Sequence, residues 1–116
     1  MAIKTTIFHN PRCSKSRETL QLLHDNKCDI EVVEYLKTEL SFNEIQTLIQ
    51  QLGITPKQLI RTSESIFKEL FKDKSLSDQQ WIQAMVDYSV LIERPIVIHG
   101  NKAVIGRPPV LVLDIL

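Results

Sequence analysis

Cysteine is scarce: the 116-residue chain carries only Cys13 and Cys28, too few for a disulfide-stapled secreted domain. Their spacing fits no zinc motif, and the three histidines, His9, His24 and His99, are scattered along the chain. No apolar run approaches the ~18 residues of a membrane span. The N-terminus MAIKTTIFHN lacks the apolar core of a signal peptide. Basic and acidic residues balance at 14 each, and no basic run stands out, so no global field draws in nucleic acid. Repeats, low-complexity tracts and flexible linkers are absent from the sequence too. These absences predict a reduced, cytoplasmic protein that uses neither nucleic acid nor membrane. With no long unexplained apolar face, a monomer is expected.

What is present suits one globular domain over residues 1–116. Hydrophobic residues make up 43% and charged residues 24%, enough to bury a core without staples. Ile3 to Phe8 is short and β-branched and stops at Asn10-Pro11, which predicts a strand. A helix follows from Ser14 to about Asn26, with Thr19, Leu20, Leu22 and Leu23 on its inner side. Ile30 to Tyr35 predicts a second strand, parallel to the first in a βαβ unit. The middle reads as helical. Ser41 to Glu44 forms a capping box before the stripe Ile45, Leu48, Ile49, Leu52, and Gly53 ends it. Thr55-Pro56 starts a short helix, and Ser77 to Gln80 caps another that turns Trp81, Ala84, Met85 and Tyr88 inward. Ile96 to Ile98 and Ala103 to Ile105 predict an antiparallel hairpin turning at Gly100-Asn101. Pro108 and Pro109 open a final helix, Val110 to Leu116. The order βαβ, helices, ββα predicts an α/β layered fold of the thioredoxin-like plan, a four-stranded mixed sheet with a helical insertion at about residues 41–90.

Cys13 stands between the first strand and the first helix, where a helix presents free N–H groups and the positive end of its dipole. A thiolate there has a lowered pKa, and the same features hold an oxyanion. Arg12, Lys15 and Arg17 add nearby positive charge. The polar flanks Asn10-Pro11-Arg12 and Ser14-Lys15-Ser16 argue against a merely buried cysteine. Cys13 and Ser16 form a Cys-x-x-Ser motif, in which the hydroxyl can donate to a thiolate or oxyanion, or cap the helix, but cannot resolve a disulfide. Cys28 is separated from Cys13 by a helix of about a dozen residues, very roughly 20 Å, too far for a disulfide. The reducing thiol must then come from outside. Arg94 and Arg107 both precede prolines at element edges near the expected Cys13 loop, and guanidinium forks suit a tetrahedral oxyanion. Arg61 can equally pair with Glu64, three residues on.

The run His9 to Arg17, HNPRCSKSR, resembles the active-site motif of the glutaredoxin-linked arsenate reductase (ArsC) family. The similarity continues in order through Glu18-Thr19-Leu20, Glu34-Tyr35-Leu36, Leu59-Ile60-Arg61, Glu69-Leu70, Glu93 to Val97 and Ile105 to Pro109. It covers essentially the whole chain and is similar to the short bacterial, YfgD-like branch. The resemblance implies that Cys13 is the nucleophile and that Arg61, Arg94 and Arg107 bind the oxyanion and stabilise the thiolate. It implies that His9 and Ser16 tune the cysteine and that Pro95 is the cis-proline of thioredoxin-like folds. The implied partners are arsenate or a similar small oxyanion, glutathione as co-substrate and glutaredoxin, with no metal or bound organic cofactor. Lys15 stands where well-known members carry a smaller residue, which bears on oxyanion preference. Two other readings belong to different classes. One is a redox regulator glutathionylated at Cys13; the other is an RNA polymerase-binding module like the Spx branch, whose usual Cys-x-x-Cys is broken here by Ser16.

Overall fold

The computed structural model describes residues 3–116 and has two compact units. The first holds the chain up to Thr38 together with Arg94–Leu116; the second is Glu39–Glu93.

The first unit is built on β1 (Lys4–Phe8), α1 (Ser14–Asp25), β2 (Asp29–Val33), β3 (Ile96–His99) and β4 (Lys102–Ile105). Its sheet has the order β2-β1-β3-β4. β1 runs parallel to β2 and antiparallel to β3, and β3 pairs antiparallel with β4. This is a thioredoxin-like mixed sheet, as the order of elements predicts. Alternation along β1 buries Thr5 and Ile7. Ile7, Val97, Leu23 of α1 and Val112 are fully buried together, with Leu20, Ile30 and Val104 packed around them. Gly100 takes φ +63° in the β3–β4 turn, a backbone region glycine occupies at little cost. The expected second strand extends too far: it stops at Val33, because the Glu34 carbonyl accepts N–H groups from Lys37 and Thr38 and turns the chain. The last segment also differs. Pro109–Ile115 is a 3₁₀ helix rather than an α-helix, with Leu111 N–H bonded to the Pro108 carbonyl. The β-branched Val110 and Val112 weaken the α-helical alternative there.

The second unit is helical: α2 (Phe42–Leu52), α3 (Ser65–Leu70) and α4 (Asp78–Asp87), with 3₁₀ turns at Pro56–Leu59 and Ser89–Leu91. Both capping boxes form, Ser41 with Glu44 and Ser77 with Gln80, and Gly53 ends α2 at φ +68°. Ile45, Leu48 and Ile49 are buried, as are Trp81, Ala84 and Met85. Tyr88 is not the inward residue its spacing suggested. α4 ends at Asp87, and Tyr88 takes φ −134° and is 37% exposed, lying edge-on to Phe71 at 5.9 Å. The helix α3 and the turn at Ser89–Leu91 were not legible in the sequence.

Candidate active site

The Cys13 loop is a turn fastened by its first residue. The Asn10 carbonyl accepts the Cys13 N–H at 3.0 Å, and the Asn10 side-chain oxygen accepts the Arg12 N–H at 3.0 Å. His9 N–H extends the ladder to the Val33 carbonyl, so the turn leaves directly from the sheet. Cys13 then serves as the N-cap of α1, in extended backbone and with no side-chain capping bond. Arg17 reaches back over the turn to donate to the Pro11 carbonyl at 3.0 Å. Asn10 and Arg17 as loop fasteners went unread in the sequence, although an asparagine before Pro11 is a recognisable turn signal.

Cys13 is 9% exposed. Burial pushes its thiol pKa up, but opposing effects outweigh it and the net shift is down. These are the backbone N–H of Ser16, a hydrogen bond from Arg94 and the charges of Arg94 and Arg107. Arg107 spans the site: its Nε donates to the Arg94 carbonyl at 2.7 Å while its Nη2 lies 3.4 Å from Cys13 Sγ. The Arg94–Pro95 and Arg107–Pro108 peptide bonds are both cis. Gly106 N–H bonds to the Pro95 carbonyl at 2.9 Å, tying the two arginine-bearing segments together.

The Ser16 side chain is fully buried, and its hydroxyl is engaged by His9 and Asn10. It accepts the Asn10 N–H at 3.1 Å and lies 2.6 Å from His9 Nδ1. Ser16 therefore reaches Cys13 through its backbone N–H, not its hydroxyl, and its side chain does not cap α1. Burial lowers the pKa of His9; the Glu34 carboxylate pulls it up and Arg17 pushes it down, leaving it below the usual histidine value. In the neutral Nε2–H tautomer, Nδ1 accepts from Ser16.

Among the expected site residues, His9, Cys13, Ser16, Arg94, Pro95 and Arg107 all belong to the sheet unit. Arg61 belongs to the helical unit. Its Nε lies 3.1 Å from Glu64 and its Nη1 2.5 Å from Glu93, with the side chain 17% exposed. Pairing with Glu64 was legible in the sequence, whereas Glu93 was not. Backbone bonds from Arg61 N–H to Leu91 and from Glu93 N–H to Leu59 bring that carboxylate alongside. Cys28 is half-buried beside the sheet-unit core.

The geometry is that of a shielded cysteine, its pKa lowered, at the start of the first helix of a thioredoxin-like sheet. The sequence model of the ArsC family matches residues 8–115, and the chain belongs to that family. It is 50% identical to YfgD of Escherichia coli (strain K12), over 99% of this chain and 98% of that protein. It is equally 50% identical to a protein of Haemophilus influenzae named arsenate reductase, covering 95% and 97% of the two chains. A solved structure described as arsenate reductase from Vibrio cholerae superposes with a TM-score of 0.95 at 45% identity, covering 100% of both chains.

Proposed function

We propose that the protein is an arsenate reductase that works through the Cys13 thiolate and takes its electrons from glutathione and glutaredoxin. The observation that carries this reading is the guanidinium of Arg107 held between the Arg94 carbonyl and Cys13 Sγ. That arrangement stabilises a thiolate and leaves cationic groups beside it for a dianion. The names of the Haemophilus and Vibrio relatives point the same way. In the proposed reaction the Cys13 thiolate attacks arsenic, an As–S bond forms and an arsenate oxygen leaves as water. Arg94 and Arg107 neutralise the oxyanion as the adduct forms, and the N–H groups opening α1 assist. Glutathione attacks the adduct and glutaredoxin completes the reduction. Two thiols lose one electron each to give a disulfide, and arsenic(V) gains two to become arsenic(III). Water then cleaves the Cys13–As bond, which frees arsenite and regenerates the thiol. Two waters leave in the two attacks and one is consumed here, a net of one water per arsenate. His9 and Ser16 position the Cys13 turn in this scheme, and Pro95 holds the Arg94 segment. Arg61 completes the family's arginine set by resemblance; here it holds two carboxylates. The enzyme is placed in the cytoplasm, where glutathione keeps both cysteines reduced.

An NADPH-linked assay with glutathione, glutaredoxin and glutathione reductase tests the reading. Arsenate-dependent NADPH consumption is expected in the wild type, lost in Cys13→Ser and retained in Cys28→Ser. No turnover in the wild type refutes the reductase.

A further inference from the structure

Next to the Cys13 turn lies a cavity of about 210 Å³ that the reaction above does not use. It is lined by that turn, through Asn10, Pro11 and Arg12, and by the turn after β2, through Glu34, Leu36 and Lys37. All of these residues lie in the sheet unit. At about 30 Å³ per water the space holds roughly seven waters. That is below the ~300 Å³ at which ordinary small-molecule pockets begin, so an organic ligand lies partly outside it. The lining, not the volume, selects among such ligands.

The chemistry of the lining narrows the occupant. Pro11 and the 47%-exposed Leu36 offer apolar surface. Arg12 and Lys37 offer cations, and Glu34 offers one carboxylate. Glu34 and Lys37 face each other at 3.6 Å in an exposed pair, with side chains 38% and 77% accessible, which a ligand's charges can readily replace. A bare oxyanion leaves the apolar lining unused and meets the Glu34 charge. A small peptide with a free amine, carboxylates and a short apolar middle satisfies every group.

We propose that this cavity is the docking site for the peptide thiol that attacks the Cys13 adduct. The ligand's amine meets Glu34, its carboxylates meet Arg12 and Lys37, and its thiol-bearing residue lies along Pro11 towards Cys13. Glutathione has this chemistry. The inference rests on Cys13 being a nucleophile whose adduct an external thiol resolves. In that step the docked sulfur forms a bond to arsenic, and an arsenic-bound oxygen leaves as water with the thiol proton.

The test uses S-methylglutathione, which docks without reacting, titrated into the isotope-labelled full chain. Saturable amide shifts are expected at Arg12, Leu36 and Lys37. Lys37→Glu and Leu36→Asp, both at exposed side chains, should each weaken binding roughly tenfold and raise the glutathione KM to match, with the arsenate KM held within about twofold. Shifts elsewhere, no saturation, or unchanged affinity in both variants overturn the docking site. Saturable binding here by a chain that does not reduce arsenate supports the docking site and removes only the reductase reading.

Discussion

Cys13 is held between one effect that disfavours its thiolate and several that favour it, and each can be removed singly. Arg107→Lys keeps the charge but loses the fork, since one ammonium cannot serve both the Arg94 carbonyl and Cys13 Sγ. The pH midpoint of Cys13 alkylation should rise towards that of a free thiol. Wherever that midpoint lies above neutral pH, each unit of rise slows alkylation there about tenfold. Ser16→Ala separates hydroxyl from backbone. It strands the buried Asn10 N–H and removes the partner of His9, so stability in urea should fall by about 1–3 kcal/mol. The alkylation midpoint should stay put, because the stabilising N–H is retained. A midpoint shift as large as that of Arg107→Lys shows instead that the hydroxyl faces the sulfur. At this scale the sequence disclosed the cysteine through its flanks and position. It could not disclose the direction of the Ser16 hydroxyl, nor Glu93 beside Arg61, because the two are 32 positions apart and the fold decides that contact.

Elements whose ends carry their own chemistry were legible, and those shaped by packing were not. Ser41, Ser77 and Gly53 announce helix boundaries through bonds within one turn. The six-residue α3 has no such cap and is shorter than an isolated helix can sustain, so neighbours must hold it. Phe67 stacks on Trp81 at 6.1 Å for this purpose. Packing also explains Gly106, which the resemblance noted without giving a reason. A Cβ there would stand 2.8 Å from Thr19 Oγ1 and 3.0 Å from Pro95 Cγ. The glycine thus lets the Arg107 segment close onto α1 and Pro95. Gly106→Ala should cost about 1–3 kcal/mol in urea unfolding, as overpacking does. Thr19→Ala removes the nearer obstacle, so the double variant should lose less than the sum of the singles. Strict additivity in that cycle defeats the packing explanation.

Two groups in the sheet unit, Cys13 and His9, give the whole molecule a pH dependence with one sign. Both have pKa values lowered by folding. For Cys13, burial works against the shift while Ser16, Arg94 and Arg107 produce it; for His9, burial itself is the main cause. A lowered native pKa means that the unfolded chain binds more protons in the window between the two values, so stability rises with pH across it. The His9 contribution is complete above the unfolded value of about 6.5 and is lost as pH falls through the native one. The Cys13 contribution is complete above the free-thiol value of about 8.5 and is lost as pH falls through its own, lower, native value. Urea midpoints for the wild type should therefore climb from mildly acidic pH to about pH 9, in two windows that variants can separate. Cys13→Ser should flatten the upper window and leave the lower one, and His9→Gln should do the reverse. A Cys13→Ser variant with the wild-type slope between pH 7 and about pH 9 would show that the native thiol titrates like a free one. The thiolate chemistry would then lose its physical basis, however well the two arginines are placed.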